Sequence, residues 1–372
     1  MVDVVVVGGG VIGLTIAWEL ARAGVSVRLL EQGAFGREAS WAGAGILPPG
    51  NPARARAPLD RLRAESAALW PELTAALTEE TGIDNGYRVC GGIMLSRGGD
   101  LGEHRAALSA CRDEDLPVEV PTAAQLRELE PAIAPADATA GDEAYLLPTA
   151  AQIRNPRHLK ALVAACVARG IELRSGETAI GFDSEGDRIT AIRTTTDAHR
   201  AGRFCIASGA WSRRLLAAAG VDLPIEPVRG QMALLSLPRA PFRRVLQAGE
   251  RYLVPRPDGR VLVGSTMERA GFDKRTTAAG IAGLIEFAVG LVPALGDATL
   301  ERTWAGLRPG SPDRAPFLGR VPSHANLFVA AGHFRAGLQM SPATAVVMRQ
   351  VLLDEDPLIP LEAFGCARAS AG

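Results

Sequence analysis

Val2-Asp3-Val4-Val5-Val6-Val7-Gly8-Gly9-Gly10-Val11-Ile12-Gly13 is the stretch whose reading decides the fold. Five valines around one aspartate read as a short strand buried on both faces. Glycines at 8, 10 and 13 give the spacing G-x-G-x-x-G. Gly8 allows a tight turn, Gly10 lets backbone approach a pyrophosphate, and Gly13 lets helix and strand pack closely. The pattern predicts a helix over 11–23 whose N-terminal N–H groups and positive dipole end face that phosphate. Gly24 is placed as the C-cap and 25–30 as the second strand. Glu31, eighteen residues after Gly13, is the carboxylate placed to accept hydrogen bonds from a ribose.

Such a fingerprint alone is weak, but this one follows a predicted strand, opens a helix and has its acid at the expected distance. A βαβ turn that binds nothing is the plainer alternative. A leader peptide or membrane span is another, because Val4 to Trp18 is mostly apolar. Asp3, the lack of a basic leader segment, and Glu19 and Arg22 just after the run argue against it.

The chain of 372 residues suits two domains or one large α/β unit, and a formal net charge of −1 offers no basic footprint for nucleic acid. Of 40 basic residues only Lys160 and Lys274 are lysine, so a single arginine carries no argument without its local setting. The cysteines (Cys90, Cys111, Cys166, Cys205, Cys366) are scattered and lack C-x-x-C spacing, which reads as free thiols in a reducing cytoplasm. The histidines show no metal-ligand spacing, and no metal site is expected.

Outward from the first unit, 33–50 is rich in glycine and alanine but contains Trp41, Ile46 and Leu47. It reads as backbone passing close to a large flat ligand, with a flexible linker as the plainer alternative. Helices are predicted over 58–82, 101–114 and 122–129, and a strand with a Gly-Gly interruption over 88–96. A strand at 145–148 leads to a helix capped by Asn155 with Pro156 at its first position. A strand over 172–179, a small antiparallel insertion (180–182, 189–195, 203–207) and the turn Ser208 to Ser212 form a second βα unit. From 227 to about 304 strands dominate (231–236, 251–255, 261–266), with one helix over 277–292. At the end, 327–331 is a strand, 332–337 a turn, and Ser341 the N-cap of a helix from Pro342 to about 353. That helix end, aimed at a flavin, would stabilise negative charge; an ordinary βα unit is equally consistent. The fold class is α/β, with a discontinuous Rossmann-type domain (1–50, 151–225, 320–372). An α+β substrate domain with a mostly antiparallel sheet takes 51–150 and 226–319.

These residues together resemble the D-amino-acid oxidase superfamily of flavoproteins, and within it the bacterial glycine oxidase group of the thiamine pathway. The resemblance spans nearly the whole chain. It rests on the glycine turn, Ser40-Trp41-Ala42-Gly43, Arg154-Asn155-Pro156-Arg157 and Ala207-Ser208-Gly209-Ala210-Trp211-Ser212. Pro227-Val228-Arg229-Gly230-Gln231, Tyr252-Leu253-Val254-Pro255-Arg256 and Val263-Gly264-Ser265-Thr266-Met267 add to it. The most distinctive blocks are Trp304-Ala305-Gly306-Leu307-Arg308-Pro309-Gly310 and Gly332-His333-Phe334-Arg335.

The resemblance implies a non-covalent FAD and oxidation of glycine, sarcosine or a D-amino acid, with dioxygen as acceptor and hydrogen peroxide as product. It implies that Arg308 holds the substrate carboxylate, that Tyr252 reaches the same group, and that Arg335 stands beside flavin and substrate. A surface charge is the plainer reading of Arg308 and a half-buried strand aromatic that of Tyr252. Met267, Glu250 and Ile46 are assigned to the substrate pocket, though core packing accounts equally well for Met267. Cofactor contacts are assigned to Gly8, Gly10, Val11, Ile12, Gly13, Glu31 and Gln32, and to Ser40, Ala44, Gly45 and Ile46. Ile180, Gly209, Gly332, His333, Phe334, Arg335, Ala336, Gly337 and Leu338 complete that set. Glu250, two residues before Tyr252, stands where some relatives carry histidine, and Ala336 where they often have asparagine. A thiazole synthase is implied as a candidate acceptor of the imine, and a homo-oligomer is left open. A D-amino-acid dehydrogenase, a tailoring oxidase of larger amines and a flavin-binding subunit without turnover are the alternatives.

Overall fold

The valine strand Val2–Val7 is buried at every position but Asp3, because it lies in the middle of an eight-stranded sheet. It runs parallel to Val27–Glu31 on one side and to Ala198–Ile206 on the other. The computed structural model describes residues 2–96, 101–134 and 143–370. The sheet continues to Glu172–Ser175 at one edge, and to Leu327–Ala331 and Phe317–Arg320 at the other. An antiparallel extension, Ala179–Glu185 and Arg188–Thr194, grows from Ala198–Ile206.

The helix Val11–Arg22 buries nine of its twelve residues. Its outer side is covered by the helices Asn155–Ala168 and Gly337–Leu352, which Pro58–Thr81 covers in turn. That layering explains why Leu14, Ile16, Trp18 and Leu20 are all fully buried. Trp18 keeps its indole N–H satisfied by donating to Glu80 Oε2 at 3.0 Å.

The second sheet has seven strands in the order Thr299–Gly310, Glu226–Ser236, Arg260–Gly264, Arg251–Pro255, Val245–Ala248, Gly92–Leu95, Ala144–Leu147. All pairings are antiparallel except that of Val245–Ala248 with Gly92–Leu95. One face packs Leu235, Leu253 and Val263 against Leu284, Ala288 and Leu291 of the helix Ala278–Leu291. The opposite face carries Met232, Tyr252 and Trp304 and turns toward the first sheet. A three-stranded ribbon, Ile46–Leu47, Ala151–Gln152 and Arg88–Val89, joins the two. Among the described residues no helix is long and apolar enough to cross a membrane.

Four local expectations are corrected. The C-cap of the first helix is Ala23, with Gly24 the left-handed residue after it at φ +81°. The following strand starts at Val27, because Ser26 N–H and Oγ–H are taken by the Asp3 carboxylate. Asn155 is the first residue of its helix rather than the cap, which is Arg154, and its side chain reaches across to Ser40 O instead. The last helix starts at Gly337, with Pro342 inside it. Proline there has no N–H for the carbonyl of Leu338; Ser341 Oγ donates to that carbonyl at 2.8 Å and repairs the ladder. Five strands had no expectation at all: the two-residue Ile46–Leu47 and Ala151–Gln152, then Phe317–Arg320, Val245–Ala248 and the twelve-residue Thr299–Gly310. The last is an edge strand, where Pro309 is tolerated.

Candidate functional site

The first strand, the last helix and the second sheet converge on one cavity of about 910 Å3. At its phosphate end Gly8 holds φ +112°, and a Cβ there would lie 2.4 Å from Ala207 O. Gly10, Val11 and Ile12 line the cavity, whereas Gly13 packs behind it against Gly8 O. Glu31 is buried and accepts from two backbone donors, Gly9 N–H at 2.8 Å on one oxygen and Gly33 N–H at 2.9 Å on the other. Each carboxylate oxygen retains a lone pair for a ribose hydroxyl. Gln32, Ile180 and Gly209 stand around the same end.

The glycine- and alanine-rich segment is not a loose linker. Its carbonyls are fastened from outside: Ser40 O by Asn155 Nδ2 at 2.7 Å and Ala42 O by Trp304 Nε1 at 3.0 Å. Ala44 O accepts from Arg256 Nη2 at 2.8 Å and Gly45 O from Ile153 N–H at 2.8 Å. Arg256 is buried, and burial pulls its guanidinium down to about 10. Ser40, Ala44, Gly45 and Ile46 thereby line the cavity. The N–H groups of Ala44 and Gly45 donate to no described group, and Asn155 Oδ1 is buried without a partner. Unspent donors and an unspent acceptor on a fixed backbone suit a flat heterocycle with polar edges.

The substrate side is set by strand register. Val228 pairs with Arg308, Gly230 with Gly306 and Met232 with Trp304, so these six share one face. Arg308 donates Nη2 to Ser265 Oγ at 2.6 Å and Nη1 to Thr266 O at 3.2 Å. Its guanidinium lies across Gly230, where a Cβ would be 2.2 Å from Nη2 and 2.4 Å from Cζ. Burial lowers its pKa, opposed by the neighbouring Tyr252 hydroxyl. Tyr252 donates to Met232 Sδ at 3.4 Å and lines the cavity beside Arg308. Arg308 has no carboxylate partner among the described residues.

The turn after Leu327–Ala331 closes the cavity. Phe334 is left-handed at φ +48°, a conformation that costs a non-glycine residue energy. Its N–H is held by Pro309 O at 2.9 Å, next to Arg308. His333, Arg335, Ala336, Gly337 and Leu338 line the wall, and Ala336 is the N-cap of the last helix without a side-chain cap. The helix start at Gly337, four residues before Ser341, brings its positive end to the cavity.

Besides Gly13, three assigned residues stand outside the lining. Gly332 lies behind it against Phe317. Met267 is 40 % exposed, on the loop beyond Thr266. Glu250 sits on the hairpin before Arg251–Pro255 and pairs its carboxylate with Arg335 at 3.1 Å. Residues without an assigned role also contribute: Asn155, Trp304, Arg256, Gly230 and Ser265. All five sit in the quoted blocks, but nothing local marks the tertiary bonds of Asn155 and Arg256. Cys111 reaches the far end, where burial and Glu114 raise its thiol.

Two histidines are buried near these walls. His333 meets Thr344 Oγ1 at 3.2 Å, and His158 packs against Trp70 at a tilt of 57° with 5.1 Å between centroids. Burial pushes both imidazoles down to about 3. The unfolded chain takes up these protons at the ordinary value of 6.5, so stability is lost as pH falls from there toward 3. Between pH 7 and 5 the loss is about 2 kcal/mol per histidine. Thermal melts of the holoprotein at the two pH values are expected to show it, and His158→Asn to remove roughly its own share. An unchanged acid-side drop in His158→Asn would refute the assignment.

The FAD dependent oxidoreductase family model matches residues 3–351. The chain is 38 % identical over 358 residues to glycine oxidase of Pseudomonas putida, covering 96 % of each. It is 34 % identical to the bifunctional protein ThiO/ThiG of Trichormus variabilis, covering 96 % of this chain but 54 % of that one. The crystal structure of glycine oxidase from Geobacillus kaustophilus superposes with a TM-score of 0.92 at 33 % identity, covering 99 % and 98 %. A family model that runs through both sheets and ends in the last helix leaves one conclusion: the chain belongs to the FAD-dependent oxidoreductases.

Proposed function

We propose that this flavoprotein is an amino-acid oxidase acting on glycine and similarly small amines such as sarcosine or D-alanine. The observation that carries the reading is Arg308: a guanidinium at the cavity wall, anchored to Ser265 Oγ and Thr266 O, with no carboxylate partner among the described residues. Its planar fork suits a carboxylate in a way lysine does not, and Tyr252 stands beside it. The Gly8 turn, Glu31 and the 40–46 segment would hold FAD, which would supply a hydride acceptor for the substrate Cα and a route for the electrons to dioxygen. Arg308 and Tyr252 orient that Cα by its carboxylate, the fastened 40–46 segment presents Ala44 and Gly45 N–H groups, and the Gly337 helix end favours negative charge nearby. Buried neutral His333 adds no charge to that wall. Water then converts the glycine imine to glyoxylate and ammonia, with hydrogen peroxide as the second product.

We assign cofactor binding to 1–50, 151–225 and 320–372, and the substrate side to 51–150 and 226–319; the two sheets support this division, except that the helix Pro58–Thr81 packs into the core of the first. The relation to the ThiO/ThiG protein supports a place in thiazole formation for thiamine, with a thiazole synthase taking the imine. Free thiols support a cytoplasmic setting.

The test is anaerobic mixing of the yellow holoprotein with glycine, sarcosine and D-alanine, followed by air. Bleaching by glycine with peroxide on reoxidation is expected. No bleaching by any of the three would overturn the small-amine reading, and bleaching without reoxidation in air would make the protein a dehydrogenase.

A further inference from the structure

Of the four arginines that line the cavity, Arg63, Arg214, Arg308 and Arg335, the last two are close enough to act on one another, and their surroundings differ. Arg308 is bonded to neutral groups alone, Ser265 Oγ and Thr266 O. Arg335 is matched twice by one residue: Nη1 lies 3.1 Å from Glu250 Oε1, and Nη2 donates to Glu250 O at 2.7 Å. The pair is held from both sides. Phe334, tied to Pro309 O, fixes the turn that carries Arg335. The hairpin pairing of Ala248 with Arg251 fixes Glu250. Side-chain exposures of 28 % for Arg335 and 48 % for Glu250 put the pair at the solvent edge of the cavity, while Tyr252, two residues on, is part of its wall.

We propose that Glu250 neutralises Arg335 and thereby restricts the pocket to amines bearing a single carboxylate. The inference rests on the carboxylate role of Arg308 given above. A monocarboxylate meets Arg308, whose own bonds are to neutral groups. A second carboxylate directed at Arg335 must displace Glu250, exchanging one ion pair for another, and then faces the displaced charge. Rejection comes from a built-in repulsive group rather than from pocket size. Removing that charge leaves Arg335 free to accept a distal carboxylate in a fork.

Binding to the holoprotein tests this without turnover. Methoxyacetate and diglycolate, unreactive ether counterparts of sarcosine and iminodiacetate, are titrated while flavin absorbance is followed. The native protein is expected to favour methoxyacetate. In Glu250→Gln the ratio of the two Kd values is expected to move toward diglycolate by about tenfold or more. Glu250→Ala should move it the same way, and the ratio of flavin to protein absorbance reports that each variant is folded. The double variant Glu250→Gln with Arg335→Gln should lose the gain. A smaller shift in both single variants, or a gain that survives in the double variant, overturns the inference. Methoxyacetate binding that is indifferent to Arg308→Met overturns the carboxylate role of Arg308 separately. Binding of neither acid overturns both.

Discussion

Arg308→Met is expected to lower kcat/KM for glycine on the order of a thousandfold while the purified protein keeps its flavin. Truncating one partner of a desolvated, hydrogen-bonded charge pair costs about 2–5 kcal/mol, and each 1.4 kcal/mol is roughly a factor of ten. Arg308 is at the upper part of that range because its two protein bonds, to Ser265 Oγ and Thr266 O, orient the fork. Arg308→Lys keeps the charge without the planar fork and should recover only part of the loss. Steady-state kinetics with glycine, beside a flavin absorbance spectrum, decide it. A loss below about tenfold would remove Arg308 from carboxylate binding.

Gly230→Ala is expected to cost about a hundredfold in kcat/KM without unfolding the protein. A Cβ on Gly230 would lie 2.2 Å from Arg308 Nη2 and 2.3 Å from Nη1. That contact is impossible, yet the atoms struck belong to the far end of a long side chain, so the guanidinium moves and the sheet stays. Displacing a substrate-positioning group by an ångström costs about a hundredfold. The cross-strand partner Gly306 offers the guanidinium no way out, since a Cβ there would meet Ala42. Kinetics and a thermal melt check the two halves. Native kinetics, or a collapse of the melting temperature, would each contradict this account.

How much of this was legible in the sequence depends on how local each determinant is. The unit from Val2 to Glu31 could be read because strand, glycine turn, helix and acid lie within one short run and obey short-range rules. The strand Leu327–Ala331 was legible for the same reason. The start of the last helix was misread because Ser341-Pro342 is a good helix opening in isolation. Ser341 is in fact the donor that lets Pro342 sit inside the helix. Thr299–Gly310 is a strand because Glu226–Ser236 pairs with it along its length, not because its own residues prefer the conformation. Asn155 looked like a cap, and only its bond to Ser40, 115 positions away, shows its use. Met267, assigned by resemblance, lies outside the cavity because the chain has turned away after Thr266.

The walls of the cavity are also separated in time. A ribosome delivers the Gly8 turn and Glu31 first, and the segment 40–46 soon after. Asn155, Arg256 and Trp304, which fasten that segment, emerge later in that order. The turn from His333 to Leu338 comes after all of them. A nascent chain therefore presents a phosphate-binding turn with no opposite wall, and the flavin compartment closes only once 333–338 has been made. Cofactor capture thus waits for a turn far along the chain from the glycines that announce it.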